Sequence, residues 1–448
     1  MTWTERKDNP YITLTKIQIL ELKVEQDNHD QAELIVQDLV QAGGRILSTA
    51  GHKSFVLGYE VFILISNITI TQTFIQDHGK IFSKIAYHDL NQLIEEGDEG
   101  TVTPPEVQQS GDKFGFTTFH TLQSINSHLE ALCAKYPHIM EMVEMDGETY
   151  EGRKIRGVRI TRDVKSAASR NKPMIYLEGG LHSREWISPA TLMYLIEALV
   201  GEKEADKSAQ AMAVWRRFQI VLMPVVNPDG YVYSQVDRLW RKTRKPAGCK
   251  FNLRDCNGEC LVDTCIGVDP NRNWDIDFGV LGSSSEPCDA SFPGRAPFDQ
   301  ECTVVLRDFL VSHREKLVLS VSYHSYGQMF LYPWGHTKDP TPHLAHHTKV
   351  GRAFSRAVAE RNGTVYKYHP ISNIYHDMYP ENWYEVSGTS IDWVYHHLGV
   401  VDSYAVELSP VNPEVGFLLP PDQIVPTGEE NWDGLLAVVR NIAYRGAL

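Results

Sequence analysis

A histidine and a glutamate three residues apart stand where a buried strand is predicted to end. His182 and Glu185 follow the apolar run at 174–177 and the pair Gly179-Gly180. Packing gives no reason for two polar side chains there, because a buried polar group costs free energy unless a partner satisfies it. A divalent metal ion is such a partner, and imidazole and carboxylate groups are common ligands for it. We therefore interpret this pair as part of a metal site.

The same spacing occurs a second time without this context. His138 and Glu141 lie in a predicted helix-to-strand connection, where a surface histidine is a sufficient explanation. After the first pair, by contrast, Ser188-Pro189 marks the start of a helix. The surroundings of the first pair, rather than its spacing, indicate chemistry.

A third ligand is predicted at the end of another strand. The β-branched run at 317–323 leads directly to His324. The carboxyl ends of strands in an open α/β sheet meet at one edge, where such folds bind their ligands. Two imidazoles and one carboxylate leave a coordination position open, which is the composition of a catalytic zinc site, whereas a structural zinc uses four protein ligands. We expect one zinc ion per chain, held by His182, Glu185 and His324.

The elements that position these ligands fall into two parts joined by an acidic segment. Residues 12–88 follow a β-α-β-β-α-β pattern, the split βαβ of a small ferredoxin-like α+β domain, with helices at 30–41 and 67–78. Residues 95–112 hold no large apolar residue except two valines, and so predict a linker. The predicted domains are 1–94, the linker 95–112, and 113–448.

The C-terminal part alternates strands with helices. This order predicts an α/β domain with a central mixed, largely parallel twisted sheet flanked by helices. The predicted strands are 172–178, 218–223, 317–323 and 403–407, and the predicted helices are 188–200, 209–217, 302–313, 343–361 and 429–444.

Composition excludes some partners. The 448 residues carry a net charge of −14, concentrated in the first 112 residues. An acidic chain is a poor ligand for nucleic acid. No apolar run approaches the ~20 residues that a membrane-spanning helix needs. Neither nucleic acid nor a membrane span is therefore expected.

Cysteine usage leaves two readings open. Four of the seven cysteines lie within 249–265, a stretch rich in Gly, Asn and Asp. A disulfide-stapled loop in an oxidising compartment is one reading, and a small metal knuckle is the other. The sequons at Asn67 and Asn362 agree with secretion. The N-terminus has no hydrophobic signal segment, so an incomplete first exon and an intracellular form are both open.

Seven stretches, in order along the chain, resemble the zinc metallocarboxypeptidases of the pancreatic carboxypeptidase A type. The resemblance covers 113–448, and residues 12–88 resemble the propeptide of that family. It implies a zymogen that hydrolyses the C-terminal peptide bond of its substrates. The stretches are Gly-Leu-His182-Ser-Arg184-Glu185-Trp, Asn227-Pro-Asp-Gly, Arg238-Leu-Trp-Arg241-Lys-Thr-Arg, Gly267-Val-Asp269-Pro-Asn271-Arg272-Asn273-Trp, His324-Ser-Tyr326, Gly388-Thr-Ser-Ile391-Asp-Trp and Glu407-Leu.

The resemblance also implies roles for individual residues. Glu407 would be the general base that takes a proton from the zinc-bound water, and Arg241 would stabilise the oxyanion. Arg272 would bind the terminal carboxylate of the substrate through its guanidinium fork. Further implied residues are Asn271 and Tyr384 as donors to that carboxylate, Asp269 as the carboxylate orienting His182, Arg184 and Tyr326 in the outer subsites, and Cys265 and Cys288 as a disulfide pair.

Ile391 occupies the position that forms the base of the S1′ pocket in this family. An apolar side chain there leaves the charge of a basic guest unpaired, so the resemblance implies aliphatic or aromatic C-terminal residues. Ala405 should make the pocket slightly roomier, and Asp392 is expected outside its base. The stretch 369–383 is longer than usual in the family, which leaves the fine preference open.

The resemblance further implies a secreted monomer, an activating protease and peptide C-termini as substrates. No Lys or Arg lies between Ile85 and Asp112, so Lys113 is the first basic residue at which a trypsin-like protease could act. A pseudoenzyme that only binds peptide C-termini is the alternative. Glu407 and Arg241 together disfavour it, because a binding module needs neither a base nor an oxyanion partner.

Overall fold

A computed structural model describes residues 114–203, 208–249, 264–374 and 385–444, together with the backbone of four N-terminal strands. The chain divides into two compact units. The smaller unit contains the four strands β1 (Gln18–Lys23), β2 (Arg45–Ile46), β3 (Glu60–Ile65) and β4 (Phe82–Tyr87).

These four strands form one antiparallel sheet in the order β2-β3-β1-β4. Strand β3 lies between β1 and β2, which is the strand order that the predicted split βαβ pattern requires. The predicted helices at 30–41 and 67–78 and the predicted linker at 95–112 lie outside the described residues.

The larger unit is built on an eight-stranded sheet in the order β13-β12-β14-β11-β7-β8-β6-β5. Within it, the pairs β12/β13, β11/β14, β7/β11 and β7/β8 are parallel and the pairs β12/β14, β6/β8 and β5/β6 are antiparallel. The prediction of a mixed, largely parallel sheet is confirmed. The strands are β5 (Met140–Glu144), β6 (Arg156–Ile160), β7 (Met174–Glu178), β8 (Gln219–Met223), β11 (Leu317–Ser325), β12 (Met329–Tyr332), β13 (Lys367–Pro370) and β14 (Ser403–Leu408), while β9 (Pro246–Cys249) and β10 (Thr264–Ile266) form a separate antiparallel pair.

Nine α-helices are described, and those that were predicted begin and end close to their predicted bounds. The exception is α9, which begins five residues earlier than predicted because Pro426 fits in its first turn, where a missing N–H breaks no helical hydrogen bond. The helices are α1 (Leu122–Lys135), α2 (Ala167–Arg170), α3 (Ile187–Val200), α4 (Ser208–Arg217), α5 (Pro228–Tyr233), α6 (Glu301–Ser312), α7 (Leu344–Asn362), α8 (Ser390–Leu398) and α9 (Ile424–Asn441). Within the described ranges, none of them combines the length and apolar composition needed to cross a bilayer.

The neighbouring strands β7 and β8 are buried along their whole length. Helix α9 packs against α7 and α3, and α8 contacts β11 and β14. Tyr176 of β7 lies in an apolar cluster with Leu306 and Leu310 of α6 and Trp393 of α8. This packing of helices against the sheet holds the strand ends in a fixed position at one edge.

One disulfide is present among the described cysteines, and it joins Cys265 to Cys288, the pair that the family resemblance implies. Cys133 and Cys302 are free thiols, the first partly buried and the second buried. The side chain of Cys249 and the whole of Cys256 and Cys260 lie outside the described residues. The two readings of the extra cysteines therefore both stay predictions.

Candidate active site

The three predicted metal ligands lie together at the carboxyl edge of the sheet. His182 and Glu185 follow β7, and His324 is the last residue but one of β11. His182 Nδ1 lies 2.8 Å from Glu185 Oε1, His324 Nδ1 lies 3.0 Å from Glu185 Oε2, and the two Nδ1 atoms are 3.1 Å apart. None of the three residues is more than 4% exposed. Three potential ligand groups therefore face one point inside the protein.

The turn before His182 is shaped by its two glycines and by Ser188. A Cβ at Gly179 would lie 2.7 Å from Ser188 Oγ, and Gly180 has a left-handed φ of +63°. The Ser188 hydroxyl accepts from Gly180 N (3.1 Å) and donates to Tyr323 O (2.5 Å), which ties the turn to β11 beside His324. The prediction that Ser188-Pro189 marks a helix start is correct to within one residue, since α3 begins at Ile187, and Ser188 also forms this bridge.

Hydrogen bonds on the far side of each imidazole determine which ring nitrogen is available. His182 Nε2 lies 3.1 Å from Asp269 Oδ1, and His324 Nε2 lies 3.0 Å from Ser322 Oγ. A carboxylate can only accept, so His182 Nε2 donates and its Nδ1 carries a lone pair. Two imidazole nitrogens and a carboxylate, held by partners behind them, are a donor set that fits a zinc ion.

Charges around His182 and Glu185 agree with this arrangement. Burial lowers the pKa of His182, and the nearby Arg241 lowers it further, which favours the neutral ring. Burial alone would raise the pKa of Glu185, but its interactions with His182 and His324 outweigh that effect and hold the pKa well below its usual range. Among the described residues, the other group of close potential ligands contains Cys265 and Cys288, which are joined in the disulfide.

Asp269 connects the ligand cluster to Arg241. Its Oδ1 accepts from Asn271 N (2.9 Å) as well as from His182, and its Oδ2 accepts from Arg241 Nε (3.0 Å) and Nη2 (2.8 Å). Arg241 Nη1 also lies 3.7 Å from Glu185 Oε1. Although Asp269 is fully buried, the charges of Arg241 and Arg272 outweigh the desolvation and hold its pKa well below the usual range. The family resemblance implies that Asp269 orients His182, but it did not anticipate that Asp269 also holds Arg241.

Glu407 lies next to His324 in the parallel ladder between β14 and β11. Its side chain is partly exposed, unlike those of the three ligands. Burial and the negative charge of Glu185 raise the pKa of Glu407 to about 7, although His324 and Arg241 act in the opposite direction. A carboxyl group with a pKa near 7 is well matched to exchanging protons at neutral pH.

The other predicted substrate-binding residues surround this edge. Arg272 Nε donates to Gly282 O and Arg272 Nη1 donates to Asn271 O, both at 2.9 Å, and Asn271 Oδ1 accepts from Ser390 N at 2.9 Å. These bonds hold the guanidinium and the amide in fixed orientations. Tyr384 lies outside the described residues.

The two predicted outer-subsite residues, Arg184 and Tyr326, interact electrostatically with each other. Burial lowers the pKa of Arg184 to about 9, with Arg241 adding to the effect and Glu185 opposing it. Arg184 is buried and Tyr326 is partly exposed. Arg184 therefore lies within electrostatic range of Glu185, and Tyr326 lies within range of Arg184 and Glu407.

Ile391 lies in an apolar cluster, which we call the Ile391 cluster. Its buried members are Leu331, Ile371, Val386, Ile391 and Ala405, and the partly buried Met329 and Ile374 pack against them. The neighbouring Asp392 is fully buried and accepts from Gly335 N (2.9 Å), His336 N (3.2 Å) and His336 Nδ1 (2.8 Å). Its carboxylate is thus bound to the loop at 335–336.

Ser322 is the partner of His324 that the sequence analysis missed. The signal was present as Ser322-Tyr-His324, since residues two apart on a strand face the same side. The second His-x-x-Glu copy has an ordinary structural explanation: His138 is exposed, and Glu141 accepts from Arg159 Nε at 2.9 Å.

The fold and the site define a class: a mixed α/β protein with a buried two-histidine, one-glutamate cluster suited to zinc at the carboxyl edge of its sheet. A family profile described as zinc carboxypeptidase matches residues 125–434. The chain belongs to the zinc carboxypeptidase family, and it is a metallocarboxypeptidase, a class of peptidase that acts on peptide C-termini.

Individual relatives agree with this assignment. The chain is 34% identical over 362 residues to Zinc carboxypeptidase A 1 of Anopheles gambiae, which covers 80% of this chain and 76% of the relative. It is 32% identical over 381 residues to Carboxypeptidase A1 of Rattus norvegicus, which covers 85% of this chain and 83% of the relative. The crystal structure of carboxypeptidase A from Helicoverpa armigera matches with a TM-score of 0.73 and 26% identity, covering 96% of this chain and 98% of that structure.

Proposed function

We propose that the protein is the zymogen of a zinc-dependent carboxypeptidase that hydrolyses the C-terminal peptide bond and prefers aliphatic and aromatic C-terminal residues. The observation that carries the proposal is the convergence of His182, Glu185 and His324 on one point, with Glu407 beside His324 and Arg241 beside Glu185. A protein that only binds peptides would need the terminal carboxylate receptor but not the base.

His182, Glu185 and His324 would hold one zinc ion per chain. When bound, zinc supplies a Lewis acid that polarises the scissile carbonyl and acidifies the attacking water. Glu407 takes a proton from that water and later donates it to the leaving amine, a role for which its raised pKa is suited. Arg241, held by Asp269, contributes positive charge where the oxyanion develops.

The free carboxylate at the end of the substrate is bound by Arg272. Because its Nε and Nη1 are anchored on the carbonyls of Gly282 and Asn271, the guanidinium has a fixed orientation and loses little entropy on binding. Asn271 and Tyr384 serve as further donors. Arg184 and Tyr326 contact the residues that precede the scissile bond.

The domain arrangement is part of the same proposal. Residues 1–94 form the propeptide domain, 95–112 form the linker, and 113–448 form the catalytic domain of a secreted, monomeric protein. An activating protease cleaves in this linker or at its end, where Lys113 is the first basic residue after Lys84.

The experiment that tests the proposed function measures the release of free amino acid from blocked dipeptides ending in Phe or Leu by the activated, zinc-loaded protein. We expect release that a chelator abolishes and added zinc restores. Matched dipeptides with an amidated C-terminus serve as the control and should not be cleaved. Binding of zinc and of the free-acid dipeptide without any release would instead establish a binding protein.

The Ile391 cluster predicts the side-chain preference. Release of Phe or Leu by the wild type should exceed release of Arg by at least about 10²-fold in kcat/KM, because a buried cation without a partner costs several kcal/mol. Ile391→Asp should reduce or invert that ratio by giving a basic guest a partner, while Ile391→Val serves as the conservative control.

Should Ile391→Asp fail to fold, the wild-type comparison of Phe with Arg still decides. Faster release of Arg than of Phe by the wild type would contradict the role given to Ile391.

A further inference from the structure

A chain of hydrogen bonds extends from His324 deeper into the sheet. His324 Nε2 lies 3.0 Å from Ser322 Oγ, the Ser322 hydroxyl donates to Glu178 Oε1 at 3.0 Å, and the Tyr176 hydroxyl donates to Glu178 Oε2 at 2.7 Å. All four residues are at most 3% exposed. Neither the sequence patterns nor the family resemblance assigns a role to Ser322, Glu178 or Tyr176.

The strand register places these four side chains on one face of two neighbouring parallel strands. Ser322 of β11 is the direct ladder partner of Glu178 of β7. Because strand side chains alternate, Tyr176 and Glu178 share a face of β7, and Ser322 and His324 share a face of β11. The chain is therefore a consequence of the same pairing that brings the ends of the two strands together.

Burying the carboxylate of Glu178 in this position costs free energy of folding. It is the only ionisable residue in β7 apart from Tyr176, and among the described residues no lysine or arginine acts on its charge. A buried carboxylate without a countercharge destabilises the fold unless its hydrogen bonds compensate. A leucine would satisfy the apolar packing at this position, so packing alone does not explain a carboxylate there.

The direction of the hydrogen bonds supplies that explanation. A carboxylate accepts only, so Glu178 keeps the Ser322 hydroxyl as a donor toward itself. The Ser322 oxygen then accepts from His324 Nε2, which places the ring proton on Nε2 and leaves the lone pair on Nδ1. That Nδ1 atom is the one that faces Glu185 Oε2 at 3.0 Å and His182 Nδ1 at 3.1 Å.

We propose that Glu178 is a positioning residue which, acting through Ser322, fixes the ring orientation and tautomer of His324 and so sets the affinity of the site for zinc. The inference rests on the proposed ligand set. It gives His324 the same kind of support that Asp269 gives His182 directly, since each imidazole donates its Nε2 proton toward a buried carboxylate. The relay through Ser322 keeps the Glu178 charge one residue further from the ligands.

The test measures the zinc dissociation constant of the full chain by competition with a chelator, together with the melting temperature of the metal-free protein. Glu178→Leu removes the acceptor, frees the Ser322 hydroxyl to donate to Nε2, and should weaken zinc binding about 10–100-fold. Glu178→Gln keeps one acceptor oxygen and should retain more of the affinity than Glu178→Leu. Tyr176→Phe removes the other hydrogen bond of Glu178 without touching Ser322, and should bind zinc nearly as the wild type does.

Ser322→Ala separates the relay from a general packing effect. This variant alone should weaken zinc binding, and Glu178→Leu should weaken it little further in the Ser322→Ala background, because both substitutions break one path. Wild-type affinity in folded Glu178→Leu, or in Ser322→Ala if Glu178→Leu does not fold, would overturn the inference, as would fully additive losses. If the His324→Ala variant bound zinc as tightly as the wild type, the proposed ligand set itself would be overturned.

Discussion

Replacing Glu407 with glutamine should lower kcat/KM for a free-acid dipeptide by about 10²–10⁴-fold and leave zinc binding intact. General bases contribute rate factors of this size, and an amide cannot accept the proton of the attacking water. Glu407 is the ladder neighbour of His324 but is not one of the converging ligand groups, so its loss should not release the metal. The measurement is the rate of amino acid release together with the zinc content of the purified variant.

The matched control is Glu315→Gln, which makes the same chemical change at an exposed glutamate just before β11. That variant should keep wild-type kcat/KM. If Glu407→Gln retained more than about a tenth of the wild-type rate while holding zinc, its loss would fall short of what general bases contribute. Another group would then have to act as the base.

Arg272→Lys should lower kcat/KM for free-acid substrates by about 10²-fold or more, chiefly through KM. Losing one partner of a buried charge pair costs about 2–5 kcal/mol. Lysine keeps the positive charge but loses the fork that matches a carboxylate and the anchors on Gly282 O and Asn271 O. The measurement compares free-acid with C-terminally amidated dipeptides, and the wild type should discriminate strongly where the variant does not.

Arg356→Lys is the control for this substitution, because Arg356 is an exposed residue of α7 that pairs with Glu360. It should leave both substrates at wild-type rates. Undiminished preference of Arg272→Lys for the free acid would remove Arg272 from the carboxylate site and transfer that role to another donor at this edge.

The strands that carry the ligands could be predicted from the sequence because they are buried on both faces. Such strands are near-continuous apolar runs, and a histidine or glutamate at the end of one is conspicuous. The order of the strands could not be predicted in this way. β7 and β11 are separate apolar runs, and neither contains a feature that identifies the other as its neighbour. Their pairing depends on contacts between residues more than 140 positions apart.

Polar residues inside those runs were harder to interpret. Ser322 and Glu178 look like ordinary strand residues until the register places them side by side. Ile391 and Asp392 show the converse. They are adjacent in sequence, yet a helix turns successive side chains by about 100°, so one enters the apolar cluster and the other binds the loop at 335–336. The family resemblance anticipated this difference, whereas composition could not.

Asp269 accepts from His182 with one oxygen and from Arg241 with the other, so a single anion sets the geometry of both the proposed metal ligand and the proposed oxyanion partner. The positions of His182 and Arg241 are therefore coupled through Asp269. A displacement of this one side chain would misplace both at once, and repairing either part by itself would not restore turnover. Natural variation at His182 or Arg241 should accordingly be constrained jointly rather than independently.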